Sequence, residues 1–148
     1  MNLEKYSVET DQNYMVFEFV SLGAKGRVIK IVQYSEMKVK NYYNLGFGDK
    51  DETTGKISDK SITNNGDSYM VLSTVASTVF AFTSRYPNAW IYAKGSSISR
   101  NRLYRIGLTN NLEIIRKDFK LFGLKEGKWC KFKKDIVYDA YLLRRKII

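Results

Sequence analysis

Residues 68–86, SYMVLSTVASTVFAFTSRY, decide the fold, because here the hydrophobic period of the chain changes. Leu72, Val75, Ala76, Val79 and Phe82 recur at spacings of three and four, the signature of one buried helical face. Asp67 stands where an N-cap belongs, and Pro87 supplies the stop by pushing Tyr86 away from helical dihedrals. The β-branched residues Val71, Thr74, Val75, Thr78, Val79 and Thr83 oppose a helix by a few tenths of a kcal/mol each. Length overrides them, since about 19 residues is too long for an ordinary strand.

Ahead of this helix the period is two. Met15, Phe17 and Phe19 alternate with Tyr14, Val16, Glu18 and Val20. Leu22-Gly23-Ala24-Lys25-Gly26 reads as a turn, and Arg27–Tyr34 alternates again with Ile29 and Ile31 set against Lys30. Tyr42–Gly48 reads as a third strand facing inward through Tyr43, Leu45 and Phe47, and Ile57–Ile62 as a weak fourth. Residues 1–13 read as a loosely ordered lead-in. Behind the helix, Ala89–Lys94 is a short aromatic strand. Ser99 is placed to cap a helix running to about Leu108, and Leu112–Phe119 follows after Asn110-Asn111. Leu121–Leu124 and Lys128–Phe132 flank the turn Lys125-Glu126-Gly127, with Tyr138–Arg145 closing the sheet. The expected architecture is a single α+β domain over residues 1–148. Its sheet is largely antiparallel, packed by one long helix and one or two shorter ones.

Composition removes whole classes of chemistry. The 148 residues include no histidine and one cysteine, so imidazole acid–base relays, Ser-His-Asp triads, internal disulfides and thiolate zinc cages are excluded. No cofactor is expected. No apolar run approaches the roughly 18 residues of a membrane span, and the first residues lack the apolar core of a signal peptide. A lone thiol fits a reducing compartment, so the expected location is the cytoplasm.

The net charge of +10 is concentrated. Residues 1–84 hold nine Lys and Arg against ten Asp and Glu, whereas residues 85–148 hold sixteen against five. Such asymmetry points to a basic face for a polyanion, RNA or DNA, or for an acidic protein partner; a face that merely maintains solubility is the alternative. The helix beginning near Ser99 is the best local anion site. Its first-turn amides and dipole favour an anion, Ser96, Ser97 and Ser99 supply hydroxyls, and Lys94, Arg100, Arg102 and Arg105 surround the turn. Arg102 and Arg105, three residues apart, can grip one phosphate with planar forks, or instead pair with carboxylates elsewhere. In the tail, cations interleave with Trp129, Phe132, Tyr138 and Tyr141, a pattern shared by single-strand binders and by alternating core strands.

Three features are weaker. Asp49–Gly55 opens like an EF-hand loop, but its glycine is one position late and Lys60 stands where a bidentate Glu is needed. Gly23–Arg27 is a hairpin turn before it is an anion cradle. Cys130 reads as a buried, inert thiol.

Three blocks together carry a resemblance: Tyr43-Asn44-Leu45-Gly46-Phe47-Gly48-Asp49, then Asn64-Asn65-Gly66-Asp67 with Val71–Ala76, then Lys94-Gly95-Ser96 with Ser99–Arg105. They resemble a bacterial family of short single-domain proteins of unknown function. The resemblance implies one complete domain and no established activity. The functional expectation is therefore a cytoplasmic, non-catalytic domain that binds nucleic-acid phosphates through its C-terminal basic face. A histidine-free ribonuclease of the toxin type is the alternative, with Tyr104 or a carboxylate handling protons. An acyltransferase is disfavoured, because the glycine spacing after the Trp90 strand does not match a pyrophosphate-binding loop.

Overall fold

The first alternating segments form a hairpin: β2 (Val16–Gly23) and β3 (Gly26–Glu36) pair antiparallel down to Gly23 opposite Gly26. Gly26 has φ 83°, a left-handed conformation that costs glycine little and side-chain-bearing residues more. The computed structural model describes residues 4–60 and 62–147. After the hairpin, β4 (Tyr42–Asp49) pairs with β3, α1 (Ser68–Arg85) crosses the sheet, and β5 (Trp90–Ala93) returns parallel to β4. Then come α2 (Ile98–Asn110), α3 (Leu112–Asp118), β6 (Phe119–Lys125), β7 (Lys128–Lys131) and β8 (Ala140–Arg145). A two-residue strand, β1 (Glu9–Thr10), borders β2. The sheet order is β1-β2-β3-β4-β5-β8-β6-β7, antiparallel at each described pairing except β4 with β5. The fold class is α+β.

The helices share one face of the sheet. Phe17, Phe19, Val32, Tyr34, Leu45 and Ile91 meet α1 through Val71, Val75, Val79 and Phe82, with Tyr34 stacked on Phe82 at 4.1 Å. The threonines that α1 buries return their hydroxyls to its own carbonyls: Thr74 to Met70, Thr78 to Val75 and Thr83 to Val79, each at 2.7 Å. That satisfies polar groups which would otherwise be costly beneath a helix. Arg145 fastens β8 to the end of α1, donating to Thr83 Oγ1 at 2.7 Å and to the Phe80 carbonyl at 3.0 Å.

Several local expectations change. Lys30 alternates with Ile29 and Ile31 in the sequence, and the register places it opposite Phe19 and Asp49 on the helix side, 1% exposed. Period two assigns residues to alternate faces without saying which face is inner. Ile31 lies on the opposite face and is buried there, where the loop after β4 lays Ile57 against Gly46 and Gly48. Ile57–Ile62 forms no strand among its described residues; Ile57 makes one bridge to Lys50, and Ser61 lies outside the description. Asp67 precedes α1 but does not cap it by side chain, because its carboxylate accepts the Tyr6 hydroxyl at 2.5 Å and the Ser21 hydroxyl at 2.6 Å. Tyr6 also donates its amide to Thr74 Oγ1 at 2.9 Å, so the lead-in is fastened to α1 from Tyr6 onward. Ser97, not Ser99, caps α2, and Cys130 is exposed rather than buried.

The crossing of β6 by Tyr138 gives a stability test. A Cβ added to Gly123 would stand 2.3 Å from the ring of Tyr138, a residue 2% exposed whose hydroxyl oxygen accepts the Lys133 amide at 3.0 Å. Gly123→Ala is expected to lower unfolding stability by about 2–4 kcal/mol in chemical denaturation. Wild-type stability in that variant would show that the ring is free to move aside.

Candidate functional site

The segment Lys94–Ser97 joins the end of β5 to α2, and packing accounts for much of it. The Gly95 amide donates to Asn101 Oδ1 at 3.1 Å, and a Cβ there would lie 2.2 Å from the Asn101 nitrogen. Asn101 in turn donates to the Tyr138 carbonyl at 2.8 Å. Ser97 Oγ accepts the Arg100 amide at 3.2 Å as the helix cap. The Arg100 guanidinium donates to the Ser58 carbonyl at 3.0 Å and to the Lys60 carbonyl, stapling the loop after β4 to the start of α2. Lys94, Ser96, Ser99 and Arg102 are exposed and Arg105 is half-buried. Among the described residues the ion pairs are Lys30–Asp49 and Lys50–Glu18, so no carboxylate holds any of the three arginines. Arg102 is thus an exposed cation, the half-buried Arg105 has its charge near the Tyr141 phenol, and Arg100 has an internal task.

A second basic surface lies at the other end of β5 and β8. Arg116, Lys120, Lys131, Lys133 and Lys146 surround a groove of about 700 Å³ floored by Phe119, Leu121, Phe122 and Phe132. β7 stops at Lys131, opposite Phe122, and the Phe132 amide still donates to the Leu121 carbonyl at 3.0 Å; the groove opens beside the Phe119–Lys120 stretch of β6 beyond that contact. Among the described residues no Asp or Glu lines the groove. Phe122 also belongs to the face of the sheet opposite the helices. There Trp90 lies 6.2 Å from Phe122, stacks on Tyr42 at 5.6 Å and 5°, and carries the Arg144 guanidinium 5.1 Å from its ring centre. Arg144 Nε is buried without a hydrogen-bond partner. Lys120 faces Arg144 across β6 and β8, and Tyr92 meets the exposed Trp129 edge-on at 6.2 Å. Of the tail aromatics, Phe132, Tyr138 and Tyr141 are core, while Trp129 remains at the surface.

The helix-start cluster and this groove are thus separate. Trp90, Arg116 and Lys120 were not singled out in the sequence for this surface. The legible signal was period two through Lys120, Phe122 and Leu124, which puts a cation and two apolar groups on one face.

A third region is the seam between β4 and β5. The parallel pairing spans Tyr42–Asn44 with Trp90–Tyr92; beyond it β4 continues to Asp49 while β5 ends. The Tyr104 hydroxyl reaches into the opening and donates to the Leu45 carbonyl at 3.4 Å. Burial pushes its pKa up to about 12, so the phenol keeps its proton at neutral pH. At the end of β4, Lys30 donates to Asp49 Oδ1 at 2.5 Å and to the Thr63 carbonyl at 2.7 Å. Burial of Asp49 opposes ionisation, but the Lys30 ammonium and the Thr63 amide overcome it and hold the carboxyl below its ordinary 3.8.

These features define a two-layer α+β protein with an open, basic and aromatic sheet face. The chain belongs to a family of unknown function, DUF6934, whose model matches residues 2–146. No curated protein and no solved structure matches it.

The Lys30–Asp49 pair has a pH signature. A carboxyl with a lowered folded pKa stabilises above its unfolded pKa and loses that contribution as pH falls through the folded value. Wild-type stability should therefore decline below about pH 4 by an increment that Asp49→Asn lacks. At pH 7 the variant should be less stable by about 3 kcal/mol, because Lys30 is left buried beside a neutral amide. Parallel stability–pH curves for the two proteins would contradict the assignment.

Proposed function

We propose that this protein binds single-stranded nucleic acid, RNA or DNA, without catalysis, through the groove at the β6 edge and the aromatic face beside it. The observation that carries the reading is the double role of Phe122. It floors a groove rimmed by five cations and also stands next to Trp90, on which Tyr42 and Arg144 are stacked. Cations along a groove neutralise phosphates, and neighbouring aromatic faces stack on unpaired bases; a duplex offers the first contact but not the second. Arg102 and Arg105 extend the basic footprint at the far end of the sheet.

Strands β5 to β8 contain no Asp or Glu, which favours a polyanion over a partner of mixed charge. An acidic protein surface would be served by the cations alone and would leave the aromatic row without a task. Tyr104, the phenol weighed as a proton-handling group, does not line the groove, and the non-catalytic reading is preferred to a ribonuclease. Among the described residues no helix is long and apolar enough to cross a membrane, and the exposed Cys130 thiol is consistent with the cytoplasmic location we assign.

Fluorescence anisotropy with labelled 12-nucleotide RNA and DNA, single-stranded and duplex, tests the proposal. Single strands should bind more tightly than duplex, with log K falling against log salt at a slope of about −3.5 if five phosphates are neutralised. Lys120→Glu with Lys131→Glu should weaken binding more than about tenfold and flatten that slope. Trp129→Ala should cost about 1–3 kcal/mol on single strands and nothing on duplex. No binding at low salt, or equal binding of duplex and single strand, would remove the reading.

A further inference from the structure

Arg144 and Arg145 are neighbours on β8, and the fold treats them differently. Arg145 uses its guanidinium on the end of α1, where Thr83 Oγ1, the Phe80 carbonyl and Ser84 Oγ accept from it. Arg144, on the opposite face of the sheet, is half-buried, and its Nε is buried without a hydrogen-bond partner. A buried donor left unpaired is costly, and native structures hold few of them. The Trp90 ring lies 5.1 Å from the guanidinium carbon and occupies one face of the group. The N–H donors lie in the guanidinium plane, so that contact does not use them.

The neighbour on the other side adds charge. Strand register aligns Tyr42, Trp90, Arg144 and Lys120 in one row across β4, β5, β8 and β6. Cross-strand partners have Cβ atoms about 5 Å apart, and like charges so placed repel. Among the described residues neither cation has an ion pair, although Asp118 lies two positions before Lys120. Lys125 and Lys128 are also opposed, but both are exposed at a hairpin tip, where water weakens the repulsion. Around the half-buried Arg144 the dielectric is lower, so an anion bridging the pair gains more there.

The position of the pair in the row selects the anion. On one side lies the groove, which Lys120 and Phe122 both line. On the other side the row continues through Trp90 and Tyr42, which carry no charge. A phosphate backbone leaving the groove along this row therefore meets its last cation at Arg144. An internal phosphodiester carries one negative charge, whereas a phosphomonoester carries about 1.5 to 2 near pH 7. Two adjoining cations, one of them a planar fork, match the monoester.

We propose that Arg144 and Lys120 form a subsite for the terminal phosphomonoester of a single strand, 5′ or 3′, whose remaining phosphates follow the groove. This rests on the single-strand reading above and names the part of the strand that is recognised.

Anisotropy with internally labelled single strands tests it. The probes carry a 5′-phosphate, a 3′-phosphate, hydroxyls at both ends, or the favoured phosphate capped as its methyl ester. One phosphorylated end should bind at least about tenfold more tightly than the hydroxyl-ended strand. The methyl ester should cancel that gain, because it leaves a single charge. Arg144→Gln should reduce the gain to less than about twofold, and Lys120→Gln, at an exposed position, should do the same and serves if Arg144→Gln folds poorly. Lys131→Gln, on the groove rim, should weaken every probe while the gain persists. Equal affinity for phosphate-ended and hydroxyl-ended strands would overturn the subsite and leave the groove reading standing. A gain that survives in the methyl ester, or in either folded variant, would overturn it as well. No binding of any probe would remove both readings.

Discussion

The parallel contact between β4 and β5 is the constraint on which the rest of the molecule depends. A parallel neighbour cannot be reached by a tight turn, so the chain must cross the sheet, and α1 is that crossing. The helix brings the apolar face for the core, and the short pairing leaves an opening where β4 outruns β5. Into that opening come Tyr104 from α2 and, from the loop after β4, the carbonyls that Arg100 holds. The final strand then enters between β5 and β6, so that Arg144 and Lys120 arrive side by side from distant parts of the chain.

Two kinds of polar burial stabilise this arrangement. Lys30 is the more demanding, an ammonium 1% exposed whose desolvation is offset by Asp49 and the Thr63 carbonyl. The second kind is distributed: Tyr6, Ser21 and Asp67 join the N-terminal segment, the hairpin and the start of α1 through short hydrogen bonds. Both groups sit at the carboxyl end of β4, where the loop 50–62 must be held. The opposite face has Ile57 over Gly46 and Gly48 at one end and the aromatic row at the other, with no covering helix among the described residues.

The positive charge divides accordingly. Cations near the start of α2 form one group, and Arg116, Lys120, Lys131, Lys133 and Lys146 rim the groove. The helix-start cluster was the site most visible in the sequence because its residues are neighbours along the chain. Arg100 nevertheless serves the fold, since two loop carbonyls lie within its reach. The groove was invisible as a unit because Arg116, Lys120, Lys131 and Lys146 meet only through strand order.

The sequence by itself determined the α+β class, the limits of α1 between Asp67 and Pro87, the hairpins at Gly23–Gly26 and Lys125–Gly127, and the surplus of charge in the last 64 residues. Each of these rests on local spacing, turn chemistry or composition, which need no partner. Only the tertiary structure decided that Lys30 points inward, that Trp129 stays outside while Phe132 and Tyr141 do not, and which cations converge. Alternation along a strand separates two faces without naming the buried one, and it carries no record of which strand will lie alongside. Those choices are made by long-range packing, where the cost of an unpaired buried group or an empty space is settled for the whole sheet at once.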